Sequence, residues 1–304
     1  MLTGIHILLT YTCNLKCDHC FLYSSTTAKG TMTMAKINEL LQESRKIGTV
    51  QEIFFEGGEP FLFYPLMVEG VRGAREMGFK TGIVTNGYWA TDPKDSELWL
   101  KPLAELGIFD LTISDDELHY GDDPNRPSKC ALAAAAKLGL PVHSICKTKP
   151  VIKISTQPDS EIGKPEITGG TKLKGRAVEK FAADLPVRSR KEFIKCPYED
   201  LANPKRVHID CYGNVQVCQG ISIGNCWKTP LSELIKRYDP LKHPICGPLI
   251  RGGPARLVEE HKLEMDEKYV DECHLCYAAR LVLLEEFPEC LAPRQVYGLD
   301  DKRP

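Results

Sequence analysis

Residues 33–55, TMAKINELLQESRKIGTVQEIFF, decide the fold because they contain one complete unit of helix, glycine and strand. Apolar residues recur at helical spacing between Met34 and Ile47, and Thr33 is suited to cap the start of that helix. Gly48 suits the left-handed conformation at which many helices end. A strand over residues 52–55 follows at once, so this stretch predicts a helix that leads directly into a sheet.

The same order of helix, glycine and strand recurs three more times. The glycines Gly48, Gly78, Gly107 and Gly139 are 30, 29 and 32 residues apart, the length of a strand plus a crossover helix. Such alternation requires parallel strands covered by helices, in an open sheet or a barrel. We therefore predict an α/β fold over roughly residues 1–155. Its expected strands are residues 5–10, 52–55, 80–85, 109–114 and 142–146.

The composition excludes several classes of protein. The chain has 304 residues with 39 Lys and Arg against 41 Asp and Glu, so it lacks the basic excess that binds a nucleic-acid backbone. No apolar run is long enough to span a bilayer, and the first ten residues, MLTGIHILLT, lack the features of a signal peptide. We expect a soluble cytoplasmic protein with one large domain or two modest ones, and with no nucleic-acid or membrane partner.

Thirteen cysteines indicate metal or redox chemistry, because a reducing cytosol disfavours disulfides. Three of them, Cys13, Cys17 and Cys20, lie in the loop after the first strand. A zinc site would need a fourth ligand, and the only one nearby, His19, lies between two of the cysteines. Three thiolates suit a 4Fe–4S cluster with one iron open to another ligand. Zinc stays an alternative at this point.

Ligands of parallel α/β proteins bind at the carboxyl ends of the strands, so the segments after the strands are informative. Gly57-Gly58-Glu59-Pro60 follows the second strand, Thr85-Asn86-Gly87 ends and follows the third, and residues 114–119 end and follow the fourth. Each also has an ordinary interpretation: Gly57-Gly58 and Asn86-Gly87 as turns, residues 115–117 as a solvated charge run, and His119 as a polar loop residue.

Cys13-x3-Cys17-x2-Cys20 after the first strand, together with Gly57-Gly58-Glu59-Pro60 after the second, resembles the radical S-adenosylmethionine (SAM) superfamily. The resemblance implies a partial (βα)6 TIM-like barrel in which three thiolates hold a 4Fe–4S cluster and its open iron chelates SAM. An electron, from a donor such as ferredoxin or flavodoxin, then splits SAM into methionine and a 5′-deoxyadenosyl radical that abstracts hydrogen from a substrate. The implied SAM-binding residues are Gly57, Gly58, Glu59, Pro60, Thr85, Asn86, and Ser114 or Asp115.

The second cysteine-rich region predicts a hairpin and a helix. Residues 206–218 alternate on both sides of a tight turn, which favours two short strands ending at Cys218. Cys273-x2-Cys276 opens a helix, where the helix dipole favours thiolates, and makes a half-site for a cluster or for zinc. With Cys196, Gly213-x4-Cys218 and Gly224-Asn225, this pattern resembles the SPASM module or its shorter form, twitch. The resemblance implies one auxiliary 4Fe–4S cluster on Cys196, Cys218, Cys273 and Cys276.

A second auxiliary cluster is not expected, because no Cys-x5-Cys-x3-Cys continuation follows Cys276. The remaining cysteines of this region are interpreted as buried or free thiols, with Cys246 and Cys290 the first candidates for further ligands. They are Cys211, Cys226, Cys246 and Cys290. We expect a radical SAM core at residues 1–190, an auxiliary-cluster domain at residues 191–304, and a loop over residues 157–171.

The substrate is predicted to be a side chain or backbone Cα of a ribosomally made peptide or a protein, as for many relatives with this module. A small molecule, such as an aminoglycoside or another metabolite, is the alternative enzyme substrate, and a non-catalytic zinc-binding interaction protein is the alternative of another class. Cys146 and Cys130 are candidate hydrogen-atom donors for an epimerisation, and each also fits a core position. Because the first strand begins at about Ile5, we expect no leader-peptide-binding domain before the barrel.

Overall fold

The computed structural model describes residues 1–154 and 165–299. Its strands are β1 (Gly4–Thr10), β2 (Glu52–Gly57), β3 (Lys80–Thr85), β4 (Asp110–Ser114), β5 (Val142–Ile145), β6 (Val151–Ile154), β7 (Pro165–Thr168), β8 (Arg188–Ser189), β9 (Arg206–Asp210), β10 (Asn214–Cys218), β11 (Ile221–Asn225) and β12 (Lys268–Tyr269). Its α-helices are α1 (Met34–Ile47), α2 (Tyr64–Glu76), α3 (Pro93–Leu106), α4 (Glu117–Tyr120), α5 (Pro127–Lys137), α6 (Arg176–Phe181), α7 (Leu231–Arg237), α8 (Cys246–Glu260) and α9 (Glu272–Leu283).

The first helix forms as its sequence predicts. Thr33 Oγ1 accepts a hydrogen bond from the Lys36 amide, and Gly48 ends the helix with φ 77°. Leu40 and Leu41 are buried in the main hydrophobic core. Burying one leucine side chain contributes roughly 1.5–3 kcal/mol, so the apolar stripe stabilises the helix far more than its caps do.

The central sheet has eight strands in the order β11-β10-β9-β1-β2-β3-β4-β5. Strands β1 to β5 pair in parallel in chain order, which confirms the predicted α/β class with an open, partial barrel. Alternate residues of β1, such as Ile5 and Ile7, are fully buried in the core, whereas His6 and Leu8 line a cavity on the opposite face.

The sixth strand of the expected barrel differs from the prediction. After β5 the described chain forms β6 and β7, which pair antiparallel in a separate two-stranded sheet. Part of the loop expected over residues 157–171 is therefore strand β7, and residues 155–164 lie outside the described residues. The sixth parallel strand of the large sheet is β9, which pairs with the other side of β1.

The cysteine-rich region is continuous with the sheet of the first half. Strands β9 and β10 form the predicted antiparallel hairpin, and β11 extends it. Cys273 lies in the first turn of α9, whose N-cap is Asp271, as the sequence indicated. A buried carboxylate, Asp210, accepts hydrogen bonds from Tyr11 Oη at 3.1 Å and from Asn214 Nδ2 at 2.9 Å, and so ties the hairpin to the end of β1.

Among the described residues, no helix is both long and apolar enough to cross a bilayer.

Candidate active site

A cavity of about 540 Å³ lies on the sheet face opposite the helix-covered core and reaches the carboxyl ends of β1 to β4. It is large enough for a cofactor and a substrate group, since ligand pockets commonly span several hundred Å³. All three cysteines of the first loop line it, as do several of the residues that the resemblance implied. These shared residues are Cys13, Cys17, Cys20, Gly57, Gly58, Thr85, Asn86 and Ser114.

The three cysteines of the first loop lie close together in a poorly solvated position. Burial raises the pKa of Cys13 to about 12. Burial first, and then the neighbouring Cys20 and Cys13, raise the pKa of Cys17 well above its usual range. Because thiolates are unstable there without a cation, a bound iron cluster would supply the missing charge. The Leu15 amide donates to Cys13 Sγ at 3.4 Å. Three clustered thiols that need a nearby positive charge fit a 4Fe–4S cluster.

A buried arginine holds the cysteine loop from outside the cavity. Arg176, at the start of α6, donates through its guanidinium to the Cys17 carbonyl at 2.6 Å and to the Ser24 carbonyl at 2.9 Å. Its own amide donates to the Cys20 carbonyl. The sequence around Arg176 does not reveal this role, because its partners lie about 150 residues earlier in the chain.

The two glycines after β2 allow the backbone to cross the end of β1 at close range. A Cβ on Gly57 would lie 2.4 Å from the Thr10 carbonyl oxygen, and one on Gly58 would lie 2.2 Å from the Thr12 carbonyl oxygen. The Gly58 amide donates to the Thr10 carbonyl at 2.7 Å. Glycine is therefore required at both positions to bring the loop beside the cysteines.

Glu59 lies beneath this loop and does not line the cavity. Its fully buried carboxylate accepts hydrogen bonds from the Phe61 amide at 2.9 Å, Thr85 Oγ1 at 2.8 Å and the Asn86 amide at 2.8 Å. Pro60 is also buried and opens a short 3₁₀ turn. Glu59 thus joins the ends of β2 and β3, and burial raises its pKa to about 7.

The polar residues after β3 and β4 divide into two groups. Asn86 Nδ2 donates to Cys13 Sγ at 3.7 Å, and Ser114 lines the cavity. Asp115 does not line it, because its carboxylate pairs with Arg126 and accepts from Ser128 Oγ at 2.8 Å. The pairing with Arg126 lowers the pKa of Asp115. The structure therefore brings Ser114, and not Asp115, to the cofactor side.

Two histidines add a polar wall beside the first cysteine loop. His119 lines the cavity, and its Nδ1 lies 2.7 Å from the buried Asp116 carboxylate. Its ring meets the edge of His19 at a centroid distance of 4.7 Å. Asp116 and His119 belong to the segment that the sequence also allowed as a solvated loop, and the structure folds both inward.

The four cysteines of the second site meet around a smaller cavity. Two buried cations line it with them: Lys174 Nζ donates to Cys218 Sγ at 3.8 Å, and Arg280 donates to the Gln219 carbonyl at 2.7 Å. Lys174 and Cys218 also line the large cavity, so the two sites adjoin. This convergence of distant segments fits a four-thiolate cluster. The cysteines are Cys196, Cys218, Cys273 and Cys276.

The other cysteines lie outside both cavities. Cys130 is half-buried on α5, and Cys146 is exposed between Ile145 and Lys147, which do line the large cavity. Cys226 and Cys246 are buried, and Cys211 and Cys290 are half-buried. The predicted hydrogen-donor roles of Cys146 and Cys130 stay predictions.

The first half of the chain is similar to known proteins. The model of the radical SAM superfamily matches residues 7–146. YydG of Bacillus subtilis (strain 168), whose name places it in peptide biosynthesis, is 35% identical over 115 residues, or 38% of this chain and 36% of YydG. The tungsten-containing aldehyde ferredoxin oxidoreductase cofactor-modifying protein of Pyrococcus furiosus (strain ATCC 43587 / DSM 3638 / JCM 8422 / Vc1) is 34% identical over 38% of this chain and 31% of its own length. The chain thus spans about a third of these two relatives.

Among solved structures, BtrN in complex with AdoMet and 2-DOIA superposes with a TM-score of 0.57 and 19% identity, over 90% of this chain and 92% of BtrN. At that identity the likeness concerns the fold alone. The family match favours an iron–sulfur enzyme over the non-catalytic zinc-binding protein that the sequence had left open.

Proposed function

We propose that this chain is a radical SAM enzyme in which Cys13, Cys17 and Cys20 hold a 4Fe–4S cluster that acts on SAM, and the match of the superfamily model to residues 7–146 supports the proposal. The observation that carries the proposal is that these three cysteines line one cavity together with Gly58 and Asn86, at the carboxyl edge of parallel strands. When bound, the cluster supplies the electron that cleaves SAM and so starts hydrogen abstraction from a substrate.

The residues of the chain itself bind and orient the cofactor. The side-chain amide of Asn86 donates to Cys13 Sγ. The main-chain carbonyl of Asn86 accepts a hydrogen bond from Tyr120 Oη at 2.5 Å, which fixes the position of Asn86. Ser114 offers its hydroxyl group to the polar parts of SAM. Thr85 lines the same cavity, but its hydroxyl donates to Glu59 and accepts from the Gly87 amide, so Thr85 shapes the wall beside SAM. Glu59 acts as a positioning residue, because it is buried outside the cavity and its carboxylate accepts hydrogen bonds from two backbone amides and from Thr85.

We further propose that Cys196, Cys218, Cys273 and Cys276 bind one auxiliary 4Fe–4S cluster within a domain at residues 191–304. Four thiolates and no open iron would make it an electron carrier rather than a second SAM site. The cations Lys174 and Arg280 support this assignment, since a buried cation needs nearby negative charge. Thirteen cysteines, all of them free, also fit a cytoplasmic location and a reductant such as ferredoxin or flavodoxin.

The cleavage step is tested by anaerobic assay of 5′-deoxyadenosine formation with a chemical reductant. Replacing Cys13, Cys17 and Cys20 by alanine should abolish the product. A matched variant with alanine at Cys130, Cys146 and Cys211 removes as many thiols outside both cavities and should retain it. Product formation by the first variant would refute the proposal.

For the substrate we propose a side chain or backbone Cα of a ribosomally made peptide, supported by the similarity to YydG. A Cα- or β-deuterated peptide encoded beside this protein should transfer deuterium to 5′-deoxyadenosine. If the reaction is an epimerisation, Cys146→Ala or Cys130→Ala should stop formation of the epimerised peptide, while deuterium transfer to 5′-deoxyadenosine continues.

Modification of a small molecule or cofactor is the second candidate, favoured by the similarity to the P. furiosus cofactor-modifying protein. Deuterium transfer from a labelled metabolite, with none from any neighbouring peptide, would replace the peptide proposal with this one.

A further inference from the structure

Three possible metal ligands project from adjacent strands into the large cavity. His6 of β1 and His208 of β9 lie directly opposite each other in register. Glu56 of β2 is two residues beyond Phe54, the residue that pairs with His6, and so shares its face of the sheet. All three line the cavity. They are separate from both groups of cysteines.

The donor atoms of these side chains converge. Glu56 Oε1 lies 3.3 Å from His6 Nδ1 and 3.2 Å from His208 Nε2, and the three donor atoms lie within 4.8 Å of one another. Two ligands that are each about 2.1 Å from a metal ion, at a tetrahedral angle, are roughly 3.4 Å apart. Both distances from Glu56 Oε1 to the imidazole nitrogens are therefore close to the spacing of two ligands on a common ion.

One of the three donor atoms, His6 Nδ1, is a buried polar atom without a hydrogen bond among the described residues, although Glu56 lies near it. Stacking on Phe54, with ring centroids 4.7 Å apart, holds the imidazole in place. A buried polar atom without a hydrogen bond is unfavourable, and coordination to a metal ion would satisfy it.

The three side chains are partly rather than fully enclosed, with exposures of 18%, 16% and 22% for His6, Glu56 and His208. Their remaining open side is the cavity, so an ion held there would keep coordination positions for another ligand. Two imidazoles and one carboxylate suit first-row divalent metals, whereas cysteine-rich sites select softer ones.

We propose that His6, Glu56 and His208 bind one divalent first-row metal ion in the wall of the cavity. Its open positions face the space shared with the first cysteine loop, where it would anchor an oxygen or nitrogen atom of the substrate. That anchoring role rests on the proposed function, but metal binding itself does not.

The test is a titration of the cluster-loaded protein with Mn²⁺, followed at room temperature by the EPR signal of free Mn²⁺. Mn²⁺ disfavours thiolates, so the thirteen cysteines compete little. We expect one bound Mn²⁺ per chain, and at least a tenfold weaker affinity in Glu56→Gln and in His208→Phe, by analogy with the roughly 10–100-fold cost of disturbing a metal site. His143→Phe is the matched control, because His143 lies on the same sheet, is exposed and pairs with Asp110 at 3.5 Å, away from the three proposed ligands.

The proposal would be overturned by equal Mn²⁺ affinity in the wild type and Glu56→Gln, or by the absence of bound Mn²⁺ in the wild type. Glu56 would then only form ion pairs with His6 and His208. Iron content measured on the same samples shows whether each variant has kept its clusters. Should Glu56→Gln lose them, His208→Phe carries the comparison. Because the readout is metal binding, its failure would not count against SAM cleavage, and failed SAM cleavage would not count against it.

Discussion

The two cysteine sites are built in different ways. The first takes three thiols from one loop of eight residues, and its buried cation, Arg176, binds backbone carbonyls rather than sulfur. The second takes its thiols from three separate segments and places Lys174 against Cys218. The first site depends on backbone geometry, whereas the second depends on compensating buried charge.

This difference follows from the number of thiolates and from burial. A cluster with three protein thiolates keeps one iron for an outside ligand, so the protein need only fix the loop and leave one side open. Four half-buried thiolates of the proposed second cluster would concentrate negative charge in one place, where burial already raises the pKa of free Cys276 to about 11. Buried charges of this kind require nearby opposite charge.

The largest expected effect is at Asp210, which joins the two regions. Its carboxylate accepts from Tyr11 Oη, Gln216 Nε2 and the Tyr212 amide, so Asp210→Ala leaves several buried donors unpaired. We expect the free energy of unfolding to fall by about 3 kcal/mol or more, since each unpaired donor costs about 1–3 kcal/mol. Chemical denaturation followed by circular dichroism measures the loss. Asp110→Ala is the control, because the Asp110 carboxylate accepts from Thr112 Oγ1 in a less buried position. Equal losses would mean that Asp210 does not join the regions.

A smaller and more local effect is expected at Arg176. Arg176→Met keeps the apolar stem but leaves the Cys17 and Ser24 carbonyls without their donor, at a cost of roughly 1–3 kcal/mol each. The first site should lose most of its iron while the second keeps its own. Lys180→Met, on the same helix but exposed and paired with Asp18, should lose none. Iron loss from both sites in Arg176→Met would show that the two sites are not independent.

At Lys174 the expected change is electrochemical. Lys174→Met removes a unit charge that lies 3.8 Å from Cys218 Sγ, one of the thiols that would hold the auxiliary cluster. At an effective dielectric constant of about 20, its loss should make the potential of that cluster more negative by on the order of 100 mV. A redox titration followed by EPR, in the background lacking Cys13, Cys17 and Cys20, isolates the auxiliary cluster. Lys172→Met should shift the potential less, because Lys172 lies over the Tyr198 ring instead of contacting a thiol. An unchanged potential in Lys174→Met would show that Lys174 does not compensate the negative charge of the auxiliary cluster.

The smallest effect is a pH dependence at Glu59. Burial raises its pKa from the usual 4.5 to about 7, so the folded protein binds more protons than the unfolded chain between those values. The free energy of unfolding should therefore fall as the pH rises through this window, by at most about 1.4 kcal/mol per pH unit. The free energy of unfolding between about pH 5.5 and 7.5 should show a shallower slope with pH in Glu59→Gln than in the wild type, and the control is Glu69→Gln, at an exposed side chain of α2. Equal slopes in Glu59→Gln and the wild type would rule out a raised pKa at Glu59.

For the first site, local patterns in the sequence pointed to the cysteines and to most of the polar residues that line the large cavity. For the second site they pointed only to the four cysteines and not to Lys174 or Arg280. Cys13, Cys17 and Cys20 have a fixed spacing after a strand, and periodicity revealed the five parallel strands. By contrast, β9 pairs with β1 about 200 residues away, so the meeting of His6 with His208 leaves no trace in either segment. Lys174 and Arg280 are chemically like any surface cation, and only the folded chain buries them.

Counting iron tests the central claim, two separate clusters on two differently built sites, most directly. Anaerobically reconstituted wild-type protein should contain about eight irons per chain, as two 4Fe–4S clusters by Mössbauer spectroscopy. Alanine at Cys13, Cys17 and Cys20, or at Cys196, Cys218, Cys273 and Cys276, should leave about four irons in each variant. About four irons in the wild type, or loss of all iron in either variant, would contradict the claim.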